Sequence, residues 1–244
     1  MRAIEKQFYR NFTDYIVETI KLLHISDREI SRRMKFEGLE IIDRLLDDHK
    51  SIVAYFSHTG NWEWAPSIRL HSRHAATDET RFCQVYRPLR NRRFDRLMLR
   101  IRSRFGSISI PKTRTLRDLL AFVRQGVPSI TGFMSDQKPS HGDHVHVLDF
   151  FNRPTAVITG TEALANRLGM AVVYWDMVKT SRGHYTIRVR LLADDASKVE
   201  PWTLTARYFS ELEKTIRHDP AIWLWSHRRW ANSPATWNDV DPQT

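Results

Sequence analysis

Pairs of a histidine and an acidic residue with four residues between them occur at several places in this chain of 244 residues. Such a pair is the minimum for general-base chemistry, because a neutral imidazole removes a hydroxyl proton while a carboxylate fixes its tautomer. With 11 histidines and 28 acidic residues, the spacing is expected about once by chance. It occurs four times, as His24/Glu29, His58/Glu63, His74/Glu79 and His144/Asp149. The spacing alone therefore selects none of them.

The surroundings of His58 distinguish it from the other three histidines. It follows the apolar run Ile52–Phe56, which predicts a buried strand, and precedes a helix predicted to start at Asn61 as its cap. Gly60 permits the tight turn between them, and Glu63 lies in the first turn of the helix. Active sites of α/β proteins lie at such carboxyl ends of strands. We therefore predict that His58 is a general base paired with Glu63; the alternative is a structural histidine at the end of a strand.

No covalent nucleophile is evident. The chain contains no G-x-S-x-G motif, and its single cysteine, Cys83, lies within a predicted strand. This favours direct transfer of a group to an acceptor hydroxyl. A single cysteine also excludes an internal disulfide and is consistent with a reducing compartment.

Two further polar residues end predicted strands. Arg87 precedes Pro88, and Asp136 follows the apolar run 129–134. If these strands are parallel to that before His58, both side chains lie on the same rim of the sheet. Arg87 could then bind a phosphate or support an oxyanion, or form only a surface salt bridge. Asp136 could orient Arg87 or His58, or cap a turn.

The charge of the chain favours anionic partners. The formal net charge is +10, and nucleic acid, an anionic membrane and an acidic carrier protein all fit it. The predicted helix 91–104 is rich in arginine. Its apolar residues form a core stripe rather than stacking aromatics, and no nucleic-acid motif is present. The helix therefore suits phosphate headgroups or an acidic carrier protein.

A metal centre is the rival interpretation of one short segment. His141, His144 and His146 lie close together in sequence and could ligate zinc in a hydrolase. No further ligand is indicated elsewhere in the chain. We therefore expect a solvated loop and no metal site.

Strands alternating with helices predict an α/β fold, with a single domain over residues 1–230 and a mixed, largely parallel central sheet covered by helices on both faces. The N-terminal part, residues 1–37, is predicted to be helical, and residues 231–244 a loose tail. The predicted strands are 52–56, 81–87, 107–110, 129–134, 170–178 and 184–192. The other predicted helices are 38–49, 61–70, 113–125, 155–168 and 202–217.

Membrane attachment is the remaining question of organisation. No apolar run approaches the roughly 20 residues of a spanning helix, which predicts a soluble or membrane-peripheral chain. The first helix begins without a cap, which suggests that an upstream segment is missing.

Four sequence blocks, in order, resemble those of the bacterial lipid A biosynthesis acyltransferases, the lauroyl/myristoyl transferases of the lysophospholipid acyltransferase superfamily. The resemblance covers about residues 38–230. The blocks are SHTGNWEW, VYRPLRNRRFDRLMLRIRSRFG, GFMSDQKPSHG with FFNRPTAV, and WLWSHRRW.

The resemblance implies a glycerolipid acyltransferase-like fold and transfer of an acyl chain from acyl carrier protein or coenzyme A. The acceptor is a hydroxyl of a lipid or glycolipid at the cytoplasmic face of the inner membrane. His58 is then the general base and Glu63 its partner. The other implied site residues, which we assign to substrate binding, are Arg87, Asp136, Asn61, Arg228 and Arg229. No metal, cofactor or nucleic acid is expected. Relatives usually begin with an apolar membrane helix that is absent here, so the expected location is peripheral.

Overall fold

The computed structural model describes residues 2–76 and 79–231. The predicted tail, 231–244, lies outside the described residues except for Ala231. The helices are α1 (Arg2–Lys21), α2 (Asp27–Arg33), α3 (Leu39–Asp47), α4 (Arg92–Arg102), α5 (Thr115–Arg124), α6 (Gly160–Leu168) and α7 (Thr203–His218). The strands are β1 (Met34–Glu37), β2 (Ile52–Phe56), β3 (Arg81–Tyr86), β4 (Ile108–Pro111), β5 (Ser129–Met134), β6 (Val145–Asp149), β7 (Pro154–Ile158), β8 (Ala171–Ser181) and β9 (His184–Ala193).

Within the described residues, seven strands form the central sheet in the order β1-β9-β8-β2-β5-β3-β4. The five strands from β8 to β4 run parallel to one another. β9 pairs antiparallel with β8, and β1 runs parallel to β9. The sheet is therefore mixed and largely parallel, and the predicted α/β single-domain fold is confirmed.

The centre of the sheet is the strand before His58. All five residues of β2 are buried, as expected for a central strand covered on both faces. Successive side chains point to opposite faces, and the core divides accordingly. Ile52, Ala54 and Phe56 pack in one cluster, whereas Val53 and Tyr55 pack in another.

Helices cover both faces of the sheet. The first face packs against α3, α4 and the 3-10 helix Trp62–Leu70, with Tyr15 of α1 at its margin. The second face packs against α5, α6 and α7. The helices that follow β2 and β3 therefore lie on the same side of the molecule.

Three predicted elements differ from the structure. The N-terminal part, residues 1–37, includes a strand, because β1 pairs with β9 as an edge strand. Residues 154–158 form β7 paired with β6, so the helix predicted over 155–168 begins only at Gly160. The segment after Asn61 is a 3-10 helix containing Pro66, whose ring and missing N–H disfavour a regular α-helix.

No helix in the described part of the chain is both long enough and apolar enough to cross a bilayer.

Candidate active site

The ends of β2 and β5 bring a histidine and an aspartate into contact. The two strands are parallel neighbours with Phe56 aligned to Met134, so His58 and Asp136 each lie two residues beyond the aligned pair. His58 Nδ1 lies 2.7 Å from Asp136 Oδ1. The backbone N–H of His58 also donates to Asp136 Oδ2 at 3.1 Å. Both side chains are therefore fixed relative to the rim of the sheet.

Asp136 is a buried carboxylate with enough donors to stay ionised. It is 2 % exposed and accepts a third hydrogen bond from Trp223 Nε1 at 3.0 Å. Burial alone would raise its pKa, but attraction to His58 and the hydrogen bonds from His58 and Trp223 hold the pKa of Asp136 below the ordinary value of 3.8. An ionised Asp136 requires the proton of a neutral imidazole to reside on Nδ1.

The opposite nitrogen of His58 then carries the lone pair that a general base needs. Gln137 Nε2 lies 3.3 Å from His58 Nε2 and can donate to it. The ring makes an edge-to-face contact with Trp62, with centroids 5.0 Å apart, and the side chain remains 16 % exposed. Nε2 is thus held in place while the side chain stays open to a reactant.

Glu63, the predicted partner of His58, is instead bound to an arginine of α4. Arg102 donates from Nε to Glu63 Oε2 at 2.8 Å and from Nη2 to Oε1 at 2.6 Å. Burial would lower the pKa of Arg102, but the hydrogen bonds and charge of Glu63 raise it above the ordinary value. The partner of the imidazole is therefore Asp136, and Glu63 joins the 3-10 helix to α4.

The other histidines with the same spacing are not held by their sequence partners. Glu29 pairs with Arg33 at 2.6 Å, and His74 Nε2 lies 3.2 Å from Asp47. His144 is exposed. At these positions the spacing does not predict which acidic residue, if any, contacts the histidine.

Asn61 is internal rather than on the substrate side. It is fully buried and donates from Nδ2 to Glu18 Oε2 at 2.9 Å; its side chain does not cap the 3-10 helix. Glu18, on α1, also accepts from Tyr185 Oη at 2.9 Å. Through Glu18, α1 braces the loop that carries His58. In the structure Asn61 thus supports the loop, and its predicted role in substrate binding stays a prediction.

The three predicted arginines divide between surface and interior. Arg87 is exposed beyond β3, on the same rim as His58, and Arg228 is exposed. Arg229 is buried and donates to the carbonyl oxygen of Ala156 at 2.7 Å. Burial lowers the pKa of Arg229 to about 10. Arg229 anchors the C-terminal segment to β7, and its predicted role in binding substrate stays a prediction.

The C-terminal segment 220–230 closes around the site. Gly60 N donates to the carbonyl oxygen of Ile222, and Leu224 N to that of His58, at 2.9 and 3.0 Å. On the Asp136 side, Lys138 N donates to His227 Nε2 at 3.1 Å.

Sequence reasoning missed Trp223, Gln137 and Glu18 as site residues, although the first two lie within the quoted blocks.

A narrow aromatic slot adjoins His58. It lies between α1 and the C-terminal segment and holds about 10 Å³, roughly the volume of one water. Its lining includes Phe8, Phe12, Tyr15, Trp62, Trp223 and Leu224. A larger groove of about 930 Å³ lies along α1 against the β8–β9 hairpin, away from the His58–Asp136 pair. Neither His58 nor Asp136 lines the slot, but Trp62 contacts the ring of His58 and Trp223 donates to Asp136, so these two indoles connect the slot to the pair.

The histidine-rich segment does not assemble as a metal centre. His141 and His144 are exposed, and His146 stacks on Trp202 with centroids 4.7 Å apart. Among residues 2–76 and 79–231, no three histidine, cysteine or acidic side chains are arranged to hold a metal ion.

One of two comparisons with known proteins identifies a family for this chain. The comparison with curated proteins gives no match. Among protein families, residues 1–232 match the family described as bacterial lipid A biosynthesis acyltransferase. The match covers all four sequence blocks and the strand ends that carry His58 and Asp136. The chain belongs to the bacterial lipid A biosynthesis acyltransferase family.

Proposed function

We propose that the protein moves a fatty acyl chain from an acyl thioester onto a hydroxyl of a lipid A precursor or a related glycolipid. The observation that carries the proposal is the His58–Asp136 pair at the rim of the sheet. Such a pair activates a hydroxyl without a covalent intermediate. Family membership supports acyl transfer; the donor, the acceptor and the general-base step are our proposal.

In the proposed step, His58 Nε2 removes the proton of the acceptor hydroxyl as its oxygen attacks the thioester carbonyl carbon. Asp136 stabilises the imidazolium that results. Collapse of the tetrahedral intermediate breaks the C–S bond, and the thiolate leaves with the proton held by the imidazolium. The new C–O bond is the ester of the acylated lipid. The step requires no metal and no cofactor beyond the thioester.

Substrate contacts follow from the surroundings of His58. Arg87 is exposed on the same rim, where a guanidinium suits the phosphate of the acceptor or the charge on the thioester oxygen. The aromatic slot beside Trp62 is the proposed path of the acyl chain. Because the slot holds about 10 Å³, α1 or the C-terminal segment must move outward to admit the chain.

The proposed donor is acyl carrier protein or coenzyme A, and the proposed location is peripheral, at the cytoplasmic face of the bacterial inner membrane. A net charge of +10 suits an acidic carrier protein and an anionic lipid surface. Nucleic acid is not a proposed partner.

The test replaces His58 with alanine in the purified protein, which is assayed with acyl carrier protein thioester and detergent-dispersed acceptor. We expect transfer to fall to background while circular dichroism is unchanged. His144→Ala is the matched control, because His144 shares the spacing and is exposed; it should retain wild-type turnover. Full activity of His58→Ala would refute the proposal.

Asp136→Asn tests the role of the carboxylate. The amide cannot stabilise the imidazolium and favours the wrong tautomer, so kcat should fall about 10³-fold or more, with a smaller effect on KM.

A basic module without catalysis predicts a different outcome: salt-dependent binding to anionic vesicles or DNA and no turnover of any thioester.

Lipid mass spectrometry of the host with and without the gene identifies the acceptor. We expect one glycolipid species to lose a single acyl chain when the gene is deleted. An unchanged glycolipid profile would exclude that acceptor class.

A further inference from the structure

A cluster of unpaired arginines lies beside the rim that carries His58. Residues 90–104 contain seven arginines, of which Arg102 and Arg104 are paired with Glu63 and Asp27. The five others are exposed, and their side chains have no ion pair or hydrogen bond within the described part of the chain. They are Arg90, Arg92, Arg93, Arg96 and Arg100. Five unpaired guanidinium groups on one short segment favour a strongly anionic partner.

Large apolar side chains are exposed among these arginines. Phe94 is 53 % exposed, and Leu89 and Leu97 are exposed to a similar extent. The buried apolar residues of α4 are Met98 and Ile101, so the apolar stripe extends beyond the core that it covers. The loop before α4 is held in place, because Leu89 N donates to Asp95 Oδ1 at 2.8 Å. The apolar side chains are thus presented to solvent by an ordered segment.

We propose that this surface docks the protein onto an anionic lipid bilayer. We call it the arginine face and define it as Arg90, Arg92, Arg93, Arg96 and Arg100 together with Leu89, Phe94 and Leu97. Leu97 lies one helical turn from both Arg93 and Arg100 on α4, so these two guanidinium groups flank it at the lipid phosphates, while Arg92 and Arg96 lie farther round the helix and add to the positive charge. The three apolar side chains enter the boundary between headgroups and acyl chains. The inference deepens the proposed function, on which it rests for the lipid nature of the acceptor.

A bilayer fits this surface better than an acidic protein because the neighbouring helix also exposes apolar residues. Ile16, Val17 and Ile20 of α1 are exposed, Ile20 to 59 %. The segment after α4 is joined to the segment after α1, since Arg104 Nη2 donates to the carbonyl oxygen of Ile25 at 2.8 Å. An interfacial helix combines basic and apolar residues in this way.

The position of the arginine face suits delivery of a lipid to the site. α4 begins just after the carboxyl end of β3, and β3, β5 and β2 end on the same rim. Docking through the arginine face therefore brings the rim with His58 toward the headgroups. A membrane acceptor would then reach Nε2 without leaving the interface.

The experiment measures co-sedimentation of the purified protein with vesicles. Wild type should bind phosphatidylcholine vesicles that contain phosphatidylglycerol, more weakly as salt is raised, and bind pure phosphatidylcholine poorly. Replacing Arg92, Arg93, Arg96 and Arg100 with glutamine should weaken binding roughly fivefold per arginine. Phe94→Ser combined with Leu97→Ser should also weaken binding, with less change in salt dependence.

The matched controls lie on α5, which packs on the opposite face of the sheet. Arg117→Gln with Arg124→Gln removes exposed arginines, and Val123→Ser removes an apolar side chain that is 47 % exposed. Both controls should bind vesicles like wild type. Circular dichroism and unchanged turnover of detergent-dispersed acceptor show that each variant is folded.

Equal vesicle binding by wild type and the four-arginine variant would overturn the proposal. So would weaker binding of acyl carrier protein with unchanged vesicle binding, which would make the arginine face a protein-docking surface. The His58→Ala variant separates the proposed acyl transfer from the proposed docking, since it should lose transfer but bind vesicles like wild type. An active His58→Ala refutes the proposed chemistry and leaves docking intact.

Discussion

At the scale of single residues, the proposed general-base role of His58 depends on the protonation state of one carboxylate, that of Asp136. Asp136 receives hydrogen bonds from His58 Nδ1, His58 N and Trp223 Nε1. A buried carboxylate without such donors would tend to take up a proton, and a protonated Asp136 could no longer stabilise an imidazolium. In the proposed mechanism Trp223 is therefore a positioning residue that acts through Asp136.

Trp223→Phe keeps most of the aromatic ring and removes the donor. We expect the free energy of unfolding to fall by about 1.5–3 kcal/mol, the contribution of a hydrogen bond to a charged group. Acyl transfer should fall roughly tenfold, with the loss in kcat rather than KM. Urea unfolding and steady-state kinetics measure the two effects.

Trp225→Phe is the control for this change. Trp225 lies in the same segment, but its Nε1 donates to the carbonyl oxygen of Pro220 and its side chain is exposed. Its replacement should leave kcat unchanged. Equal losses in both variants would mean that Trp223 contributes only packing.

At the scale of elements, a buried ion pair joins α4 to the 3-10 helix that follows the loop with His58. The forked Glu63–Arg102 pair joins the 3-10 helix Trp62–Leu70 to α4. Glu63 is 3 % exposed, so removal of one partner leaves a charge in a poorly solvated position.

Glu63→Leu should therefore destabilise the protein by about 3 kcal/mol. Adding Arg102→Leu should recover at least half of that loss, because no unpaired charge remains. Urea unfolding of the two single variants and the double variant measures the coupling. Asp194→Leu, which breaks the exposed pair with Arg44, should cost less than about 1 kcal/mol. A double variant as unstable as Glu63→Leu would contradict this account.

A second ion pair fastens α1 to the β8–β9 hairpin. Asp14 accepts from Arg182 Nε at 2.9 Å and from Lys179 Nζ at 3.3 Å. Burial would raise the pKa of Asp14, but hydrogen bonds and attraction from Arg182 and Lys179 lower it below the ordinary value of 3.8. The unfolded chain then binds the proton more readily than the folded protein, so this stabilisation is present above pH 3.8 and is lost as pH falls through the folded pKa.

Asp14→Asn should therefore lower Tm at pH 7, and the difference from wild type should shrink as pH falls below about 4. Thermal unfolding followed by circular dichroism across this range measures the effect. Glu40→Gln, at an exposed position of α3, controls for the loss of one negative charge. A constant difference in Tm down to pH 3 would show that the carboxylate charge of Asp14 does not stabilise α1.

For the molecule as a whole, the sequence predicted those elements whose signal is local. The run Ile52–Phe56 is apolar throughout and is a central strand. The segments predicted as strands 170–178 and 184–192 are β8 and β9, which pair antiparallel. The arginine-rich helix is present as α4, capped by Asn91, which accepts from Arg93 N and Phe94 N. Apolar periodicity and caps are properties of adjacent residues, so they can be read along the chain.

The features that the sequence did not predict depend on distant partners. β1 has only four residues and is a strand because β9 lies beside it, a context that propensity does not contain. Glu63 lies closer to His58 in sequence than Asp136, yet the register of β2 with β5 places Asp136 against the imidazole. Parallel strands predict that His58 and Asp136 share a rim of the sheet. They do not predict whether Glu63 or Asp136 forms the hydrogen bond with the imidazole.

The closure of the site by the segment 220–230 has a consequence for the order of events during synthesis. Asp136 and Trp223 are separated by 87 positions, which a ribosome translates in about 4–17 s at ~5–20 residues per second. For those seconds the nascent chain contains His58 and Asp136 but lacks the indole of Trp223, which donates to Asp136. It also lacks the backbone groups of Ile222 and Leu224, which form hydrogen bonds with Gly60 and His58. The growing polypeptide should therefore remain inactive toward lipid until translation has passed Trp223.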